Sequence, residues 1–261
     1  MTLSIVLITQ NEEKNLGGTL ASVIPLIEDL GGEIIVVDSG STDRTLEIAR
    51  SYGAKIFPET WKGFAAQKNS AMEKASGDWV LQLDADEELE PELATEVKTV
   101  LASAAGVQGF WIPRKNFFMG RWIRHGGFYP DPKLRLIRRG AGKFDEYGAH
   151  PTIKIAGQTA RLKHSLIHNA YPTLRGYIDH MNSYSSMGAQ VAVESGKRGF
   201  SLADIAVRPW LTFIYNYILR LGFLDGREGL LLHLYHSVYV SWKYAKVWEL
   251  ARGDQAKDGD G

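Results

Sequence analysis

Three polar clusters within residues 1–90 each follow an apolar run, and their residue types are those that hold cations and phosphates. Asp84-Ala85-Asp86-Glu87-Glu88 follows Trp79 to Leu83. Two carboxylates one residue apart, leaving an extended strand, point to one side and can share a hard divalent cation. The same residues can also form a plain acidic turn. A calcium EF-hand is excluded, because Leu89 stands where that loop needs glycine. Asp38-Ser39-Gly40-Ser41-Thr42-Asp43 follows Glu33 to Val37. Glycine in such a strand-to-helix turn lets backbone approach a ligand and leaves donors for it. Thr42 and Asp43 read as helix N-caps. Asp38 ends a buried strand with no evident structural partner. Thr9-Gln10-Asn11-Glu12 closes the run Leu3 to Ile8.

The intervening residues say what positions these clusters. Strands are expected at Leu3–Ile8, Glu33–Val37, Ala54–Phe57 and Trp79–Leu83, with helices at Glu13–Leu30, Asp43–Tyr52, Gly63–Ala75 and Glu92–Ala104. Continuously apolar strands alternating with helices predict an α/β fold: a mostly parallel central sheet with helices on both faces. Ligands of such sheets bind beyond the carboxyl ends of the strands, where the three clusters fall. Residues 110–168 read as β-rich with long loops, and 173–196, 202–221 and 229–252 as helices. We expect a catalytic domain over 1–200 (halves 1–105 and 106–200), C-terminal amphipathic helices over 201–252, and a disordered tail over 253–261.

Composition is that of a folded protein: 44% hydrophobic and 23% charged residues in 261, which excludes a disordered chain or a fibrous rod. The absence of cysteine excludes disulfides and thiolate-bound metals. The N-terminal residues lack a basic region followed by an apolar core, which predicts no signal peptide. No apolar run reaches the roughly 18 residues of a membrane span. A net charge of zero conceals 8 basic against 18 acidic residues over 1–100, and 13 against 4 over 101–180. An acidic first part suits a cation and a basic middle suits phosphates, or both are solvated surface. The overall balance and the lack of a recognition motif argue against nucleic acid.

In order and spacing, residues 4–16, 33–45, 63–89 and 135–139 resemble family 2 glycosyltransferases of the GT-A fold. Pro130-Asp131, Arg135-Leu136, Arg138-Arg139, His150, Tyr177 to Ser186 and Gly222 to Glu249 extend the resemblance to the bacterial branch that builds lipopolysaccharide core and surface polysaccharide. The resemblance implies an inverting, metal-dependent hexosyltransferase using a nucleotide-diphosphate sugar, a UDP-sugar first, on a saccharide or lipid-linked saccharide. Thr9, Asn11 and Glu12 would line the base and ribose pocket, and Asp38 would accept from the base beside Ser39 and Gly40. Lys68 and Asn69 would contact the nucleotide. Asp84 and the adjoining Ala85 would face the ribose or the metal's water shell, and Asp86, with Asp84, would hold Mg²⁺ or Mn²⁺. Inversion needs a base for the acceptor hydroxyl. Here the sequence departs from its branch, with Pro151 where a glutamate usually follows the histidine. Asp131 and Glu146, then Asp145, are the candidate bases, and His150 is a base, a metal ligand, a phosphate contact or structural.

Trp61, Lys62 and Phe64 read as packing or as a donor-side lid. Trp210 to Leu219, flanked by Arg208 and Arg220, suits a helix lying among lipid headgroups or packed on the catalytic domain or a second copy. The expected location is the cytoplasm, peripheral on the inner membrane's cytoplasmic face. Two rival activities fit the same front half: a polyprenyl-phosphate sugar transferase, and a silent nucleotide-sugar-binding scaffold.

Overall fold

The computed structural model describes residues 1–145 and 152–258. It resolves into two compact units, one of residues 1–115 and 131–168, the other of 116–130 and 169–261.

The first unit is built on β1 (Leu3–Thr9), β2 (Glu33–Asp38), β3 (Lys55–Pro58) and β4 (Trp79–Leu83), separated by α1 (Leu16–Leu30), α2 (Thr45–Ser51) and α3 (Phe64–Glu73). Then come β5 (Glu87–Leu89), α4 (Pro91–Ser103), β6 (Val107–Ile112), the start of β7 (Arg114–Phe118), β9 (Lys133–Arg138), β10 (Gly142–Phe144), β11 (Ile153–Ile155), β12 (Gln158–Arg161) and the start of β13 (Leu166–Tyr171). The seven-stranded sheet has the order β12-β6-β9-β4-β1-β2-β3. All neighbours are parallel except β9, which runs antiparallel to β4 and β6. The period of two along each strand feeds two cores. Leu3, Ile5, Leu7, Ile34 and Val36 pack with α1 and α4, while Val6, Ile35 and Val37 pack with α3 on the other face. Burial on both faces explains why these strands read as unbroken apolar runs.

Glu33 fastens the start of β2. Its carboxylate accepts from Ser4 Oγ (2.7 Å), Ser76 N (2.8 Å), Ser76 Oγ (2.7 Å) and Lys55 Nζ (2.7 Å). Burial alone would raise its carboxyl, but Lys55, Ser76 and Ser4 bring it down to about 2. A depressed carboxyl stabilises above its unfolded value, and the contribution disappears as pH falls from about 4.5 through 2. Glu33→Gln is expected to lose about 1–2 kcal/mol at pH 7, and the difference from wild type should shrink steadily below about pH 4.5 and be mostly gone near pH 2, as read by denaturant unfolding across that range.

The second unit contains the rest of β7, β8 (Arg121–Trp122), the end of β13, α5 (Leu174–Glu194), a π-helical turn Ala203–Val207, α6 (Arg208–Phe213), a second π-helical turn Ile214–Leu219, a 3₁₀ turn Gly222–Asp225 and α7 (Gly226–Asp258). Phe118, Ile123, Tyr177, Met181 and Leu232 form its core. Lys246 Nζ on α7 donates to Asn182 O and Oδ1 and to Ser185 and Ser186 Oγ on α5, at 2.6–2.8 Å. This bonding places α5 with the C-terminal helices, so the boundary expected at residue 200 is not where the chain divides. The Gly222-to-Gly226 motif also has a physical basis. Asp225 accepts from the Arg124 and His125 amides and pairs with His125 Nδ1, and a Cβ on Gly222 would lie 2.3 Å from the buried His233 ring. α7 continues to Asp258, past the end expected at Arg252.

Candidate active site

Parallel registry brings the three clusters to one edge of the sheet, with Thr9 opposite Asp38 and Leu7 opposite Leu83. The first two loops are then laced together. Ser39 N donates to Thr9 O, Asn11 N to Ser41 Oγ, Thr42 N to Asn11 Oδ1, Glu12 N to Thr45 Oγ1 and Glu13 N to Asp43 Oδ2. Asn11 sits at φ 57°, a conformation its short amide tolerates. Asp38, 1% exposed, accepts four bonds: Oδ1 from Thr9 Oγ1 and Ser41 Oγ, and Oδ2 from the amides of Gly40 and Ser41. These fill the acceptor sites of a carboxylate. Asp38 is thus the internal brace of the loop, and receiving a base N–H would require it to release one of these donors. Ser39 Oγ, by contrast, is buried with no hydrogen-bond partner among the described residues. Gly40 takes φ 88°, which keeps the turn free of a side chain.

Asp84 is held by cations. Its Oδ1 accepts from Lys68 Nζ (2.5 Å) and its Oδ2 from Arg135 (2.5 Å). Burial would raise this carboxyl, but Arg135 and Lys68 hold it well below the usual carboxylate range. Lys68 itself is lowered by burial, against the attraction of Asp84. Arg135 also donates to Glu87 Oε1 (2.8 Å) and to Gln82, and Arg114 bridges Glu87 Oε1 (3.0 Å) and Asp131 Oδ2 (2.7 Å). Lys133 Nζ stands 2.9 Å from Asp131 Oδ1. The result is a continuous file of alternating charge, Lys68-Asp84-Arg135-Glu87-Arg114-Asp131-Lys133, within the first unit.

Asp86 pairs with His168 instead, its Oδ2 3.3 Å from His168 Nε2. Pairing of β13 with β5 sets His168 opposite Glu87, one residue from Asp86. Burial would raise the Asp86 carboxyl, and His168 lowers it below its ordinary value. Glu12 is raised by burial and further by Asp86, Asp43 and Asp84, against a hydrogen bond from Asn15. This crowding of negative charge beside a carboxylate–imidazole pair fits a divalent cation held by Asp86 and His168, leaving positions for substrate oxygens. Among the described residues no group of three metal-ligating side chains converges.

Other expected residues sit differently. Asn69 exchanges two hydrogen bonds with the Phe144 backbone (3.0 and 2.7 Å), as a strand edge would, and so pins β10. Ala85 is buried, and its carbonyl accepts from Thr19 Oγ1 (2.6 Å). Trp61 and Phe64 are about half exposed and meet edge to face at 4.8 Å, so neither belongs to the core. The backbone amide of Asp145 donates to Thr152 O. Glu146, His150 and Pro151 lie outside the described residues. The basic middle segment is paired inward at some positions, while Lys143, Lys154, Arg161 and Lys163 are exposed. Arg114, Lys115 and Arg135 meet Glu87, Glu90 and Asp84 from the acidic first part, and Arg138 and Arg139 donate to backbone carbonyls.

A sequence profile described as "Glycosyl transferase family 2" matches residues 4–178. The chain belongs to this family. Over 95% of its length it is 31% identical to the lipopolysaccharide core biosynthesis glycosyltransferase LpsC of Rhizobium meliloti (strain 1021), covering 93% of that protein. In fold it is similar to the mannosyltransferase PcManGT of Pyrobaculum calidifontis, solved with GDP-Man and Mn²⁺ (TM-score 0.58, 17% identity, 94% of this chain and 86% of that one). It is also similar to S. aureus TarS 1-349 in complex with UDP-GlcNAc (TM-score 0.51, 17% identity, 99% and 92%). The glycosyltransferase has the GT-A fold, with a largely parallel central sheet.

His168 and Arg114 were not singled out by sequence, and Arg135 and Glu87 stood in quoted motifs without a role of their own. His168 is separated from Asp86 by 82 positions (168 − 86) and is joined to it only by strand pairing. Arg114 looked like an ordinary member of a charge-rich segment.

Proposed function

We propose that this glycosyltransferase moves a hexose, with inversion, from a nucleotide-diphosphate sugar to a saccharide or lipid-linked saccharide of lipopolysaccharide core or surface polysaccharide. A UDP-sugar is the first donor to test. The observation that carries the reading is the Asp86–His168 pair beside a cation-clamped Asp84, at the carboxyl edge of a parallel sheet. Similarity to LpsC over nearly the whole chain supports the acceptor class. Mg²⁺ or Mn²⁺, when bound, offsets the diphosphate charge and makes it a better leaving group. Lys68 and Arg135 orient Asp84, the laced loops present Ser39 and the Gly40 backbone to the nucleoside, and Asp86 and His168 are the protein's ligands to the ion. The protein works in the cytoplasm, and a lipid-linked acceptor brings its C-terminal helices to the membrane.

For the acceptor proton we favour Asp131. It shares the charge file with Asp84, and Arg114 and Lys133, against burial, keep its carboxyl below the ordinary value, so it is ionised at neutral pH. Asp131→Asn is expected to lower kcat on the order of 10²- to 10⁴-fold while leaving titrated donor binding intact. Unchanged kcat would move the role to Asp145, Glu146 or His150. Release of UDP from UDP-glucose in the presence of lipopolysaccharide-core acceptor tests the activity itself. Turnover confined to polyprenyl phosphate, or donor binding without turnover on any acceptor, would replace this reading with one of its two rivals.

A further inference from the structure

Residues Ala203 to Leu219 form one continuous helical run of π-turn, α6 and π-turn in the second unit. Within Arg208–Leu219, which includes Trp-Leu-Thr-Phe-Ile-Tyr, not one residue is buried. A helix so apolar is normally covered on every side, by a core or by lipid. Its most exposed apolar side chains include Trp210 (65%), Leu211 (53%), Tyr215 (54%) and Leu219 (68%), at helical spacings of about four. The following turn adds Phe223 (43%) and Leu224 (50%). Charge on this surface is of one sign. From Ala203 to Leu224 the only acidic side chain is Asp204, which is buried and bonded to Arg208 and Lys197. Arg208 and Arg220 are exposed on either side of the run's apolar stretch, residues 210–219, with Arg220 stacked over Tyr215 at 5.6 Å.

We infer that this run is an interfacial anchor that lies in the plane of an anionic lipid surface. At about 1.5 Å per residue it is roughly 25 Å long, shorter than a bilayer core, and Asp204 and Arg208 interrupt it. Among the described residues no helix is long and apolar enough to cross a membrane. Aromatic and aliphatic side chains on one surface, bounded by arginines whose stems can lie on lipid while their heads meet phosphate, are the chemistry of in-plane binding. The inference deepens the membrane contact proposed above. It rests on that reading for the lipid-linked acceptor and not for the donor chemistry.

The full-length protein is floated with vesicles of phosphatidylcholine containing phosphatidylglycerol, and with phosphatidylcholine alone. Wild type is expected to float with the anionic vesicles, less so at high salt. The triple variant Trp210→Gln, Leu211→Gln, Leu219→Gln should lose on the order of 100-fold in vesicle affinity with unchanged thermal unfolding, since all three side chains already face solvent. Arg220→Gln, a milder change, should weaken only the anionic case, by several-fold. Failure of wild type to float, equal flotation of the triple variant, or a dimer that the triple variant turns into a monomer without any vesicle binding would each overturn the anchor. Nucleotide titration of the same samples keeps the two readings apart, because donor binding that survives without flotation removes the anchor and leaves the transferase.

Discussion

Replacing Arg135 with methionine is expected to lower the thermal midpoint by roughly 10 °C and to abolish most turnover. Arg135 is 5% exposed and touches both Asp84 and the fully buried Glu87. Removing one partner from a buried ionic cluster costs about 3–5 kcal/mol, because the carboxylates stay buried with less compensation. At this chain length each kcal/mol corresponds to roughly 2–4 °C. Methionine retains much of the side-chain volume, so the loss reads charge and hydrogen bonding more than a cavity. Arg135→Lys keeps one charge but cannot span Gln82, Asp84 and Glu87 together, and should fall between the two. A methionine variant as stable as wild type by calorimetric melting would show that Asp84 and Glu87 do not depend on this arginine.

Asp86→Ala is expected to cut kcat/KM on the order of 10³-fold, with a melting temperature near that of wild type, since the Asp86 side chain is partly exposed. His168→Ala should cost less, on the order of 10- to 100-fold, and raising Mn²⁺ should recover part of it. That partial recovery separates a ligand from a residue that merely packs. The two variants made together should lose little more than Asp86→Ala alone, because both act on the same ion. Steady-state rates across a metal titration decide this. Wild-type rates for Asp86→Ala at low metal concentration would remove the acidic cluster from the chemistry.

Most of the first unit was legible because its strands are buried on both faces and separated by helices with clear periodicity. Thr9, Asp38 and Asp84 were legible as strand ends, and parallel registry alone brings them to one edge. Their detailed bonding was not. Asp38 looked like a group waiting for a ligand, but Thr9, Gly40 and Ser41 satisfy it from within, a local turn preference that residue type does not reveal. Asn69 likewise serves the Phe144 backbone. His168 escaped because its meeting with Asp86 depends on antiparallel pairing of β13 with β5, a long-range contact with no periodic trace. The charge asymmetry was visible, but not that Arg114, Lys115 and Arg135 of the basic part pair with Glu87, Glu90 and Asp84 of the acidic part.

On the proposed reading, Asp86 and His168 would hold a divalent ion that serves the nucleoside diphosphate. Calorimetric titration of UDP, GDP and dTDP, with and without Mn²⁺, into wild type, Asp86→Ala and His168→Ala tests it directly. One nucleotide, UDP first, is expected to bind wild type only with Mn²⁺; Asp86→Ala should abolish this binding and His168→Ala should weaken it about 10- to 100-fold. Equal binding with and without Mn²⁺, or undiminished Mn²⁺-dependent binding by Asp86→Ala, would contradict that reading.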